Sequence, residues 1–398
     1  MAAKRWKLLI FRAGAAALGL FAALLIIETG FRFYLLNVAR TIDDLRKPDS
    51  AMWGHELTLF HIVQPGADER RVYELAPGAH GTFARQPLRI NSAGFRDRER
   101  PAKKQAGVFR MAVLGDSVAF GCGVRAEDRL SDILERFLNE YSPAAGTQYE
   151  CLNFAAPGYN TVMELATLRD CALQYSPDAV ILVMVNNDDE LPNFVRVAPQ
   201  VWSLRKLFVI EAIRDFNIGR VLGDTARIAA GGIAETGGAG AASHVKGFRP
   251  ELVPPEYQFL MGRDKMTEAL RGIVAETSAR GIPALCIMPY PKMDVILDAP
   301  ASALSSNYNT EWFEAARQAG FVTCDPAASL AWYLKRHQLR ERAFWAGERD
   351  FHPNAIAHAI LARNLWQCLV QKRLLPDSGQ WERKMAECER AWDMIMSR

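Results

Sequence analysis

From residue 109 onward, short apolar runs alternate with amphipathic stretches, the pattern of parallel βαβ units, and they predict a three-layer α/β/α sandwich on a doubly wound, mainly parallel sheet of five strands. A long apolar run near the N-terminus predicts one transmembrane helix ahead of that domain. A third feature, residues 191–256, interrupts the alternation where a compact unit uses a loop of about 2 to 6 residues. With 398 residues, 49% of them apolar and 23% charged, there is material for one large core with appendages, and extended disorder is excluded. A formal net charge of +3, without a basic stripe interleaved with aromatics, argues against nucleic acid as a partner.

Taken in order, residues 1–7 are basic, and 8–27 are apolar apart from Arg12, which can snorkel toward the headgroups. About 20 residues at helical rise match a hydrocarbon core of about 30 Å. Residues 8–28 are therefore expected to span a membrane, with 1–7 as a cytoplasmic stub. A cleaved signal peptide is the competing reading. Against it, no small-x-small site with a polar follow-on is evident, and 31–36 (Phe-Arg-Phe-Tyr-Leu-Leu) continue as an aromatic interface segment. The positive-inside rule then puts everything after Glu28 on the far side, which for a bacterial inner membrane is the periplasm.

Residues 29–105 form an extracytoplasmic linker and small β extension, with extended candidates at 71–75 and 88–91. The segment 91–97 (Asn-Ser-Ala-Gly-Phe-Arg-Asp) is expected to be a turn closing a small strand pair, and the plain reading of the extension is packing against the sheet. The main domain, 106–375, has strand candidates at 109–114, 149–154, 179–185, 284–288 and 321–324. Helix candidates lie at 127–141, 161–174, 263–280, 310–319 and 354–372. Right-handed crossovers gather the loops after the strands on one edge. Within the insertion 191–256, residues 201–222 carry Trp202, Leu207, Ile210 and Ile213 at helical spacing, and 229–243 are rich in Gly and Ala. Either it roofs the site and selects substrate, or it docks on the membrane or a partner. The C-terminal helix, 376–398, places Trp381, Met385, Cys388 and Trp392 on one stripe, for core packing or a partner contact.

Seven cysteines, at 122, 151, 171, 286, 324, 368 and 388, leave at least one thiol unpaired within the chain in an oxidising compartment. Cys151, Cys286 and Cys324 lie in strand-like apolar runs and read as small hydrophobes, and no disulfide is assigned. Histidines 55, 61, 80, 244, 337 and 358 have no partner at metal-ligand spacing, and His352 and His358 fall on different helical faces. No metal and no cofactor are expected.

Two separated segments carry the chemistry. The run 109–114 feeds into Gly115-Asp116-Ser117, setting a hydroxyl on the turn after a buried strand, where an open α/β sheet collects ligands. A helix-starting cap is the plainer role for such a serine. Far downstream, Asp350-Phe351-His352-Pro353-Asn354 supplies an imidazole with a carboxylate two residues away, the parts needed to take a serine's proton and hold the resulting cation. Acid and base on one short segment is not the order of Gly-x-Ser-x-Gly hydrolases. Between them, Asn153 to Thr161 (NFAAPGYNT) follows one apolar run, and 179–185 runs into Asn186-Asn187-Asp188-Asp189.

With these four blocks in order, residues 109–369 resemble the SGNH/GDSL hydrolase family, named for its Ser, Gly, Asn and His blocks. The resemblance implies that Ser117 is the nucleophile, His352 the general base and Asp350 its orienting acid. It also implies an oxyanion hole from the backbone N–H groups of Ser117 and Gly158 and the side-chain amide of Asn187. The chemistry is coherent: preorganised donors at the developing oxyanion contribute a few kcal/mol each, glycine at 158 allows close backbone approach, and asparagine donates without a charge to desolvate. Two positions depart from the family pattern. Val185 stands where a glycine often precedes the Asn block, and Arg349 stands where the acid is commonly found three residues before the histidine. Should Asp350 point away, a backbone carbonyl would orient the ring instead. Asp116, Asp188 and Asp189 read as turn and cap residues, and nothing in the sequence fixes Arg96 or Tyr290 at the site.

The expected function is a membrane-anchored extracytoplasmic serine esterase or O-acyltransferase acting on an O-acyl group, acetyl above all, of an envelope or exported polysaccharide. Its partners would be an acylated glycan or lipid ester substrate and the membrane through 8–28. Two alternatives stay open: a GDSL-type lipase or lysophospholipase, and a non-catalytic structural subunit of a membrane complex that uses the insertion or the C-terminal helix for contacts.

Overall fold

The computed structural model describes residues 2–38, 41–143, 146–185, 187–195, 253–289, 310–348 and 350–396. The expectations for 201–222, 229–243, His244, Tyr290 and Arg349 lie outside the described residues. Five strands form the central sheet: β3 (Val108–Gly115), β4 (Gln148–Asn153), β5 (Ala179–Val183), β6 (Ala284–Ile287) and β7 (Val322–Cys324). Of the shorter strands in the extension, β1 (His80–Phe83) and β2 (Gln86–Arg89) form a hairpin. All pairings in the central sheet are parallel, in the order β7-β6-β5-β3-β4. The five-stranded doubly wound sheet read from the sequence is thus the observed one. Chain direction across the sheet reverses between β3 and β5, the switch point at which such sheets bind ligands.

The strands read as continuous apolar runs because both faces are covered. Met111 and Val113 of β3 face one core together with Ile181, while Ala112 and Leu114 face a second core together with Leu182. The first face is covered by α3 (Leu130–Tyr141), α8 (Ala355–Gln371) and α9 (Ser378–Met396). The second is covered by α4 (Thr161–Asp170), α5 (Arg263–Ser278) and α6 (Thr310–Ala319). In α3 the buried set Leu130, Ile133, Leu134, Phe137 and Leu138 recurs at helical spacing, so one stripe faces the sheet. The C-terminal helix joins this packing: the Trp392 ring stacks 4.0 Å from Phe137, and Trp381 is fully buried beside Trp366. Core packing therefore accounts for its aromatic stripe.

Several elements differ from the reading above. An additional helix, α7 (Ala327–His337), lies between β7 and the His block. His352 sits on a strand, β9 (Asp350–Pro353), paired antiparallel with β8 (Trp345–Gly347) in a two-stranded ribbon. In the extension, the β1–β2 hairpin closes at Ala84-Arg85, both in the left-handed region, whereas 91–97 is a separate turn after β2 in which Asn91 Oδ1 accepts from the Ala93 and Phe95 N–H groups. Cys324 is not merely a small hydrophobe but forms a disulfide with Cys368, tying β7 to α8 across a Cα–Cα distance of 6.0 Å. The other five cysteines are free.

The first helix, α1 (Ala2–Val38), carries an exposed apolar stretch, Ile10–Gly30. By length and composition it is able to cross a membrane, a property it shares with a signal sequence. Beyond its end, the Ile42 N–H donates to the Phe194 carbonyl at 2.8 Å, which joins the chain leaving α1 to the segment after the Asn block.

Candidate active site

Ser117 opens a short helix, α2 (Ser117–Phe120), directly after β3, and Asp116 caps it by accepting the Val118 N–H at 2.9 Å. The turn requires Gly115: at φ 151° a Cβ there would lie 2.6 Å from Ala119 Cβ and 3.0 Å from the Val183 carbonyl oxygen. The Ser117 hydroxyl donates to Asp116 Oδ2 at 3.1 Å and not to His352. Asn187 Nδ2 makes a long contact with the same oxygen, 3.5 Å. Asp116 therefore does more than cap a helix, because it draws two of the candidate groups together. Burial pushes its carboxyl above the ordinary range, against the pull of the Val118 N–H, the His352 ring and Ser117.

His352 and Asp350 lie on β9, which packs against α2. His352 Nδ1 is 2.7 Å from Asp350 Oδ1, which also accepts the His352 backbone N–H at 3.2 Å. The carboxylate two residues before the histidine thus points at the ring, at its Nδ1. Burial alone would raise the Asp350 carboxyl. The hydrogen bonds and charge of His352, with the Arg85 guanidinium 2.6 Å from Oδ2, hold it below the usual range.

Gly158 lies in the turn after β4 at φ 78°, where a Cβ would overlap Asn193 Nδ2 and approach Tyr73 Oη to 2.8 Å. Tyr73 donates to the Pro157 carbonyl at 2.7 Å, and Tyr159 returns a hydrogen bond to the Tyr73 carbonyl at 2.7 Å. Asn160 caps α4 and donates from Nδ2 to the Glu190 carbonyl at 2.9 Å, tying the Gly turn to the Asn turn. Where glycine is absent at 185, Asp188 shapes the turn: its Oδ2 accepts the Val185 N–H at 3.2 Å. Burial raises the Asp188 carboxyl and that of its neighbour Glu164 well above the carboxylate range; the Glu164 and Asp116 charges add to the rise at Asp188, and the Asp116 charge adds to that at Glu164.

An open parallel sheet that sets a turn-borne serine, a glycine turn, an asparagine turn and an Asp-His pair on its switch-point edge defines a serine hydrolase of the SGNH type. The family model described as GDSL-like Lipase/Acylhydrolase matches residues 113–360, and the chain belongs to that family. Solved structures similar to it include LAE5, an α/β hydrolase enzyme from the metagenome of Lake Arreo, Spain, at 14% identity over 65% of this chain and 94% of that one, TM-score 0.37. A catalytic mutant of Axe2, an acetylxylan esterase from Geobacillus stearothermophilus, matches at 15% identity over 66% and 94%, TM-score 0.39. The two-domain esterase CEX, active on acetylated mannans, matches at 14% over 68% of this chain and 52% of that one, TM-score 0.38. No curated protein sequence matches the chain.

Three contributors escaped the sequence reading: Arg85, Tyr73 and Asn193. Tyr73 and Arg85 come from the extension, before the family-matching span. Arg96, which the sequence could not locate, donates to the carbonyls of Phe120, Gly121 and Val124 at 3.1, 2.6 and 2.8 Å, immediately behind the serine helix.

Proposed function

We propose that the chain is a membrane-anchored, extracytoplasmic serine esterase or O-acyltransferase that removes or relocates a short acyl group, acetyl above all, on an envelope or exported polysaccharide. On this reading Ser117 Oγ attacks the acyl carbonyl carbon while its proton passes to His352 Nε2. Asp350 stabilises the imidazolium, and the Ser117 and Gly158 N–H groups with the Asn187 amide receive the oxyanion. Collapse breaks the bond to the sugar oxygen, which takes the proton from His352 and departs as a hydroxyl. Water or a second sugar hydroxyl then attacks the Ser117 ester with His352 again as base. The observation that carries the reading is the 2.7 Å Asp350–His352 pair on the strand packed against the Ser117 helix.

Residues 8–28 serve as the anchor with 1–7 in the cytoplasm, 29–105 form the extension, 106–375 the hydrolase domain and 376–398 the terminal helix. The exposed apolar stretch Ile10–Gly30 and the Cys324–Cys368 disulfide both favour an oxidising compartment beyond a membrane. A half-exposed Arg85 beside the Asp-His pair gives the site a polar rim, which suits a sugar better than an alkyl chain.

The test is hydrolysis of p-nitrophenyl acetate and longer-chain esters by the full chain in detergent, beside Ser117→Ala and His352→Ala. Turnover is expected to fall about 10³-fold or more in both variants, with acetate the preferred acyl group. A folded wild-type chain no faster than Ser117→Ala would overturn the proposal, and a preference for long chains would replace the glycan substrate with a lipid ester.

A further inference from the structure

The geometry points to Arg85 as a positioning residue of the candidate Asp350–His352 pair, supplied by a hairpin outside the family-matching span. This rests on the reading of Ser117, His352 and Asp350 given above. The two oxygens of Asp350 are divided: Oδ1 receives the His352 ring and backbone N–H, while Oδ2 receives Arg85 Nη2 at 2.6 Å. A carboxylate held at only one oxygen can rotate about its Cβ–Cγ bond; held at both, it presents Oδ1 to Nδ1 in one orientation.

Two further observations show that the hairpin is built for this contact. Its two-residue turn, Ala84-Arg85, has φ of 48° and 65° without glycine or asparagine at either place, an uncommon conformation for such side chains. On the opposite side, the guanidinium occupies the space where a side chain at 347 would stand. A Cβ on Gly347 would lie 2.6 Å from Arg85 Nη2, and Gly347 is the residue paired with Asp350 across the β8–β9 ribbon. The arginine, the missing side chain and the carboxylate fit as one unit. The extension therefore completes the site, and the hydrolase domain without it would hold a looser acid.

Charge sets the sign of the test. The groups interacting with His352 are Asp350 on its own strand, Asp116 from the serine turn and His358 from α8, and Arg85 from the hairpin sits on the far oxygen of Asp350. Arg85 is the fixed cation paired with Asp350. It opposes a second positive charge on the imidazole and takes a share of the Asp350 carboxylate. Removing it leaves the Asp350 charge undivided beside the ring and takes away the opposing cation.

The experiment compares the full chain in detergent with Arg85→Met, Arg85→Lys and Gly347→Ala, reading kcat and KM for p-nitrophenyl acetate against pH, and the ring titration of His352 by NMR. Arg85→Met is expected to lower kcat by about tenfold with KM little changed, and to move the acidic limb of the profile upward by about half a unit to one unit. Gly347→Ala, which displaces the guanidinium, is expected to give the same shift. Arg85→Lys keeps the charge without the fork and should hold the limb while losing part of kcat. In an Asp350→Asn background the Met substitution should add nothing. A wild-type limb and kcat in folded Arg85→Met would overturn the proposal. Should the wild-type chain itself show no turnover, the esterase reading fails, and an unmoved His352 titration in Arg85→Met would separately overturn the role of Arg85.

Discussion

His358 lies fully buried on α8, where its Nδ1 accepts the Leu130 N–H at 3.3 Å and its Nε2 has no hydrogen-bond partner among the described residues. Burial, followed by the charges of Arg129, Arg96 and His352, pushes this imidazole down to about 3, so it is neutral in the folded chain. The unfolded chain takes up a proton near pH 6.5 that the native state does not. The contribution of this residue to stability is therefore complete above pH 6.5 and is lost as pH falls toward 3, with a slope of up to about 1.4 kcal/mol per pH unit. Urea unfolding at pH 7, 6 and 5 should show a smaller loss of stability on acidification in His358→Asn than in the wild-type chain. Equal slopes would refute a buried neutral imidazole. The raised carboxyls of Asp116, Asp188 and Glu164 contribute with the opposite sign and cancel in the difference between the two proteins. At this scale the sequence marked Ser117, Gly158, Asn187, Asp350 and His352 because each sits in a short recognisable block. It was silent on Arg85, whose partner is 265 residues away, since no local pattern encodes an ion pair of that separation.

Elements position what residues carry. The strand–turn–helix unit β3–α2 sets the position of Ser117 only if the loop behind it keeps its shape, and Arg96 holds that loop through the carbonyls of Phe120, Gly121 and Val124, with Pro87 at 3.3 Å as a fourth acceptor. The Arg129 guanidinium in turn donates to the Arg96 carbonyl. Arg96→Ala leaves several buried carbonyls unsatisfied and is expected to cost about 3 kcal/mol or more, read from the urea midpoint, with a parallel loss of ester turnover. Arg96→Lys should recover little, because one ammonium cannot span the set. A variant within about 0.5 kcal/mol of wild type would show that the loop is held by other contacts. The strands and long helices were readable because their apolar periodicities are local properties. The β8–β9 ribbon and α7 were not, since Trp345–Gly347 is too short to show alternation and α7 presents Leu330, Tyr333 and Leu334 in a brief stripe.

For the whole molecule, the extension is wired into the hydrolase domain rather than strung before it. Asp97 Oδ2 accepts the Asn153 N–H at 3.1 Å, Arg100 pairs with Glu135 at 2.6 Å, and Lys104 reaches Asp178 at 2.6 Å. At the other end the Cys324–Cys368 disulfide closes a loop of sequence separation 44 that contains α7 and the His block. Loop-closure entropy for a span of this size corresponds to about 3–4 kcal/mol. Cys324→Ser with Cys368→Ser, or reduction of the native chain, is expected to lower the unfolding free energy by that order, measured by urea denaturation with and without reductant. Indifference to reductant would mean that the two thiols are not joined in the purified protein.

The order of strands and helices, the doubly wound sheet and the blocks that bring serine, glycine, asparagine and histidine to one edge follow from the chain read linearly, because burial on two faces and turn chemistry are written in adjacent residues. The pairing of Cys324 with Cys368, the hold of Arg96 on the serine loop and the reach of Arg85 to Asp350 arise only when distant segments pack. Each depends on a distance in space between groups whose separation along the chain carries no signal.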